Sequence, residues 1–491
     1  MIIYFILMDK SKNILLFLLL IIIPFYKCVV VLSFKTYYRK EPDNFKVSDV
    51  INYWGKNIIY TESSIGTPPQ KIKIILNSQS YGVNLFQHMC DISDSLYIKE
   101  NSNTFYIEKN INSYHPMKNA SIINETLYFY NKVNNTKELK PLKYMKIIYS
   151  DNDKYIQEDS YEYHDNTCIN AGLGLGWMYY QDVQTNLISQ IKKGYNLETY
   201  DFTFNYNSEN EGKVVIGAEP HIYDQENFFE LQYRITGAVN GVNDRDWFLN
   251  FDKLYHIYKV KSTGTIVNEN IGLIKSIKIQ FDLGLIIGPD DYKKTIELHF
   301  FNDLIKEGKC YEEVLLDKNT VFYCEKSAED NIKNDFPTLY FEMKQFNKIF
   351  ELNYKDLFRE KNEKFYFLVY FQEYSFANYF SVGKIFLKKY MFTFNHNTKM
   401  IGYYNEDLPG GKKKNNNNES FFTQHKILFI ILVIVLIIVF GVLGFFLGKL
   451  VYDKVRKKRI NEVDDNYDYN PQENDNDNND KNNNLIINND Y

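Results

Sequence analysis

Two stretches of this chain run as alternating strands straight into a loop, and they constrain the fold more than any other feature. The first is Lys71-Ile72-Lys73-Ile74-Ile75-Leu76-Asn77-Ser78-Gln79-Ser80, entered through the turn Gly66-Thr67-Pro68-Pro69-Gln70. Ile72, Ile74 and Leu76 fall on one face, and the run stops in a polar, hydroxyl-rich loop. The second is Ser276-Ile277-Lys278-Ile279-Gln280-Phe281-Asp282-Leu283-Gly284, which repeats the pattern and ends in an acidic loop. Alternation that stops at a polar segment predicts a buried strand delivering a loop to a cleft. Elsewhere the chain has many short strand patterns, turn residues between them and few helical periods, which predicts an all-β fold.

At 491 residues there is room for two domains. The formal charge of -5 carries no nucleic-acid signal. No phosphate loop or serine triad stands out, and the 8 His are scattered without a helical pair of ligand spacing. The expectation is therefore no cofactor and no metal. The high content of Asn, Lys, Ile and Tyr reads as compositional bias.

Two apolar segments bracket the chain. Ile14 to Ile23 follows Lys10 and Lys12 and has the length of a signal-peptide core. A second apolar run, Cys28 to Phe34, leaves an uncleaved anchor as the alternative. Residues 427–447 are apolar and long enough to cross roughly 30 Å of hydrocarbon. Lys449, Lys454, Arg456, Lys457, Lys458 and Arg459 beyond them mark a cytoplasmic side. The expected layout is a leader over 1–33, two lobes over 55–225 and 226–404, a stem over 405–426, a transmembrane helix over 427–447 in contact with membrane lipid, and a disordered tail over 448–491. A single-pass type I protein of the secretory pathway, cell surface or endolysosomal system follows. Residues 35–54 read as a short polar approach.

Of five cysteines, Cys28 lies in the leader, which leaves Cys90, Cys168, Cys310 and Cys324. An even number in a lumenal domain suggests two disulfides. A local Cys310–Cys324 pair is attractive because each half would then hold its own bridge. Sequons at Asn119, Asn124, Asn134 and Asn418 fit the same compartment.

The Gly-Thr-Pro-Pro-Gln turn and its strand resemble the active-site region of the pepsin-like aspartic proteases. Further landmarks follow in order. Asn170-Ala171-Gly172-Leu173-Gly174-Leu175-Gly176 is similar to the family's glycine-spaced run, and Phe281-Asp282-Leu283-Gly284 to its second active-site loop. The closing stretch Tyr379 to Tyr403 is similar to the family's last strands. The resemblance spans Tyr60 to Tyr404 and implies a bilobal pepsin-like fold with a central cleft. It also implies roles. Asp282 stands at the retained catalytic position and Asn77 at the replaced one. Tyr149 stands where a flap closes over substrate, and Ser78, Ser80 and Gly284 line the substrate site.

The family's chemistry needs two carboxylates sharing one proton. Like charges about 3 Å apart cannot both ionise, so their pKa values split. Asn77 has no titratable proton, and Leu283 offers no hydroxyl where the family has one. The expectation is a catalytically impaired homologue that binds an extended peptide or a partner protein in its cleft. The alternative is an active aspartic endopeptidase with an altered site.

Overall fold

The computed structural model describes residues 29–37, 40–77, 82–86, 97–111, 120–133, 136–150, 171–176, 186–238, 246–260, 263–272, 274–315, 317–373, 378–408, 440–441 and 443–456. The protein is mostly β, with three sheets of 13, 9 and 4 strands and few helices among these residues.

The first half of the chain supplies β1 (Val29–Tyr37), β2 (Ile58–Ile65), β3 (Gln70–Asn77), β4 (Val83–Phe86), β5 (Tyr106–Ile111), β6 (Ala120–Val133), β7 (Thr136–Ser150), β8 (Ala171–Gly174), β9 (Asp201–Tyr206) and β10 (Glu211–Ile216). Helix α1 (Asp49–Trp54) precedes β2, and α2 (Leu187–Tyr195) precedes β9. The α2 helix starts where the Asn186 side chain accepts the Ser189 N–H, and it ends at Asn196 in the left-handed conformation.

The second half supplies β11 (Tyr233–Gly237), β12 (Trp247–Asn250), β13 (Lys253–Lys259), β14 (Ile266–Asn270), β15 (Ser276–Ile279) and β16 (Ile286–Gly288). A helical segment follows, made of α3 (Asp290–Ile296), a π-turn (Glu297–Phe301) and α4 (Asn302–Lys306). Then come β17 (Cys310–Val314), β18 (Asn319–Glu325), β19 (Thr338–Met343), β20 (Lys348–Leu352), β21 (Phe358–Lys361), β22 (Lys364–Phe367), β23 (Val369–Gln372), β24 (Tyr379–Val382), β25 (Phe392–Asn395) and β26 (Met400–Tyr404).

The alternation in β3 is realised as read: Ile72, Ile74 and Leu76 are buried. The Gly-Thr-Pro-Pro turn closes the β2–β3 hairpin, with Ile65 opposite Gln70. Gly66 takes φ +87°, a conformation that a side chain would strain. In the large sheet β9 pairs with β25, so strands from both halves of the chain share one ladder. Phe202 and Phe394 stack across that join at 5.0 Å, and the hydroxyls of Thr203 and Thr393 meet at 2.9 Å.

The structure departs from the sequence reading at both ends. Val29 to Phe34, assigned to the leader or an anchor, forms most of β1, which pairs with β10, β2 and β6. Residues 35–54 are not simply a polar approach. Phe45, Val47, Val50 and Trp54 are buried in a small core with Leu285, Val321, Tyr366 and Tyr370 of the second half. Of the expected span, 427–439 and 442 lie outside the described residues. Among the described residues no helix is long and apolar enough to cross a membrane. The helical residues of 440–456 are exposed and belong to a second compact unit, distinct from the one holding the sheets.

Candidate functional site

The two loops singled out by sequence stand on the same strand arrangement. In the first half, β3 runs parallel to β8 with Asn77 opposite Gly174, and the Leu175 N–H donates to the Asn77 carbonyl at 2.8 Å. Strand β8 is antiparallel to β4, and β4 is parallel to β7. In the second half, β15 runs parallel to β24, and the Gln280 N–H donates to the Val382 carbonyl at 2.8 Å. Strand β24 is antiparallel to β16, and β16 is parallel to β23. The order parallel, antiparallel, parallel is thus repeated. Parallel neighbours need a crossover rather than a tight turn. In each half the next strand of the chain therefore lies beyond a third strand, β4 beyond β8 and β16 beyond β24.

The supports of the two loops touch. Trp247 lies opposite Ile279 in β15, and its indole N–H donates to the Leu175 carbonyl at 3.0 Å. Leu175 is the residue that holds Asn77 from the other side. Phe281, just before Asp282, packs in the aromatic cluster of Phe202, Phe204 and Phe394.

The second loop is also tied down by the first half of the chain. The Asn57 N–H donates to the Asp282 carbonyl at 2.8 Å, and the Gly284 N–H to the Gly55 carbonyl at 2.9 Å. The Asn57 side-chain amide donates to the Phe281 carbonyl at 2.9 Å and to the Tyr206 hydroxyl at 2.7 Å. Packing is so close that a Cβ on Gly284 would sit 2.1 Å from the Trp54 carbonyl oxygen. Trp54 is anchored in turn. Its indole N–H donates to Glu41 at 2.7 Å, and the Arg359 guanidinium lies over its ring at 4.2 Å. Glu41 also meets Arg359 and Lys361 at 2.7 and 2.9 Å. Burial opposes ionisation of Glu41, but the Lys361 and Trp54 hydrogen bonds and the Arg359 charge outweigh it and hold the carboxyl below the usual range.

The chemistry of the loops is asymmetric. Asp282 and Asn77 are both half-buried. One side chain can ionise and the other cannot, so these two positions hold no common proton. Beside the second loop, Lys384 donates its backbone N–H to the Leu283 carbonyl at 2.8 Å. Burial pulls its ammonium below the usual lysine range, against the pull of Glu209 at 3.3 Å. Sequence reasoning did not pick out Lys384 or Asn57, because neither carries a local pattern.

The remaining expected site residues scatter. Ser78, Ser80, Cys90, Cys168, Asn119, Asn134 and Asn418 lie outside the described residues. Tyr149 is not at a hairpin tip. It is buried in β7, opposite Ser121 in the ladder with β6 and in edge-to-face contact with Phe105 at 5.5 Å. Asn124 sits on β6, where its amide donates to Glu108 at 3.1 Å. Cys310 and Cys324 form the expected disulfide, opposite each other in β17 and β18.

No protein family matches this sequence, and no curated protein matches it. Solved structures do share the fold. It is similar to basic 7S globulin from soybean, with TM-score 0.51 and 10% identity over 77% of this chain and 94% of that one. It is similar to conglutin gamma, a basic 7S globulin from lupine seeds, with TM-score 0.52 and 10% identity over 76% and 95%. These findings correct two expectations. Membership of the pepsin-like aspartic proteases is unsupported, since the likeness lies with globulins. The single-pass membrane expectation also goes unsupported: among the described residues no helix is long and apolar enough to cross a membrane.

Proposed function

We propose that this protein is a catalytically silent binding protein, which takes an extended peptide or a segment of a partner protein into the groove between two β lobes. One observation carries the reading: two strands with the same sheet order end at corresponding positions, one followed by an acid, Asp282, and the other ending in an amide, Asn77. An amide and a single carboxylate can hold a peptide group by hydrogen bonds but cannot run paired acid–base chemistry on it. The anchoring of the Asp282 loop by Gly55 and Asn57 favours a preformed surface, which lowers the ordering cost of binding.

The test uses purified full-length protein and a library of unstructured fluorescent peptides, read by polarisation and by mass spectrometry from acid to neutral pH. Saturable binding without turnover, weakened by Asp282→Ala, is expected. Turnover abolished by Asp282→Ala would overturn the reading, as would a complete lack of peptide binding.

A further inference from the structure

A cluster of side chains that belongs to neither loop offers a second site. Strands β13 and β14 are antiparallel, and their register sets His256 directly opposite Glu269. Directly opposite residues share a face and bring their side chains within reach of each other. The third member, His299, comes from the π-turn between α3 and α4. A π-turn admits an extra residue, and such turns recur at functional sites. Here the widened turn sets His299 beside two buried residues, Phe300 and Phe301. One ligand atom from each of His256, Glu269 and His299 lies within 4.8 Å of the other two.

We propose that His256, Glu269 and His299 bind a zinc ion, with water as the fourth ligand. The first reason is an unmet need. His256 is fully buried, yet neither ring nitrogen has a hydrogen-bond partner. Its Nε2 stands 3.7 Å from a Glu269 oxygen, beyond hydrogen-bond range. His299 Nε2 lies 2.9 Å from the same oxygen but lacks the alignment of a hydrogen bond. Buried polar groups are nearly always satisfied, so two unaligned imidazoles beside one carboxylate call for a shared partner.

The second reason is geometry. Ligands about 2.0–2.1 Å from a tetrahedral zinc stand about 3.3 Å from one another. The two separations from the Glu269 oxygen, 2.9 and 3.7 Å, bracket that value. The third reason is the surroundings. The Tyr258 hydroxyl donates to the Glu269 oxygen at 3.1 Å, and its ring lies 4.1 Å from that of His299. A neighbour that fixes a ligand's orientation is the usual outer layer of a metal site. Glu269 is 40% exposed, which leaves a way in from solvent and room for water. Two imidazoles and a carboxylate with an open position form a donor set that zinc accepts.

The experiment uses untagged full-length protein, stripped with chelator and then equilibrated with zinc alone. One zinc per chain by elemental analysis is expected, with a raised melting temperature. Cobalt should give the visible spectrum of a tetrahedral ion. Glu269→Gln and His299→Ala, both at partly exposed positions, should lose the stoichiometric metal while keeping the far-ultraviolet spectrum of the parent. Tyr258→Phe should weaken zinc by about tenfold to 100-fold. Retention of one zinc by either ligand variant, or no zinc taken up by the parent, overturns the proposal.

Discussion

The loops after β3 and β15 share a strand plan and differ in what holds them. Strand β3 ends in Asn77, whose carbonyl is met by the Leu175 N–H just past β8. The second carries Asp282 and is met by Val382 at the end of β24. It is further bound by backbone hydrogen bonds from Gly55 and Asn57, in the chain between α1 and β2. Among the described residues, this lock is seen at the loop that carries the charge. Locking comes from a segment whose buried residues, Trp54 foremost, pack on the sheet of the other half.

The largest expected effect tests that lock. Trp54→Ala removes a buried aromatic together with its Glu41 hydrogen bond and Arg359 contact, and should cost about 3–5 kcal/mol in urea unfolding. A smaller loss would mean that α1 rides on the second half without holding it. Next is a paired comparison of glycines. Gly284→Ala drives a Cβ against the Trp54 carbonyl and should cost about 3 kcal/mol, whereas Gly172→Ala on β8 meets nothing within 4 Å and should change stability by less than about 1 kcal/mol. Equal effects would erase the distinction between the two sides.

The join between the halves should answer to pH. Asp201 on β9 faces Asn395 on β25 and is almost fully buried. Burial raises its pKa from 3.8 to about 6, with Glu219 adding to the rise. The folded state thus holds this proton more tightly than the unfolded one. The resulting stability is full below the unfolded value of 3.8 and is lost as pH climbs through about 6. Asp201→Asn should therefore raise the unfolding free energy at neutral pH and leave it nearly unchanged below the unfolded pKa, as read by denaturation across that range. The smallest effect is Asn57→Ala, which removes the hydrogen bonds to the Phe281 carbonyl and the Tyr206 hydroxyl and should cost about 1–3 kcal/mol in the same assay. A loss near zero would show that the backbone bonds alone position the Asp282 loop.

Much of the strand layout was legible because alternation is a local property. The burial of Ile72, Ile74 and Leu76 in β3, and of Ile277 and Ile279 in β15, follows from a period of two along the chain. The Cys310–Cys324 bridge was readable for a similar reason, since one hairpin brings both partners together. Tyr149 misled because a tyrosine near a strand end reads alike whether it lies in the core or at a tip. Residues 35–54 misled because Phe45 and Trp54 are spaced among charges, and their partners Tyr366 and Tyr370 lie far along the chain.

From sequence alone came the mostly-β class, the two strand-and-loop units, the disulfide, and the presence of an acid at 282 with an amide at 77. Tertiary structure decided the rest. It set the common strand order under both loops, the clamp of Gly55 and Asn57 on one of them, and the meeting of His256, Glu269 and His299. The physical reason is range. Side-chain direction along a strand is fixed by neighbouring residues, whereas register and convergence depend on distant segments packing together.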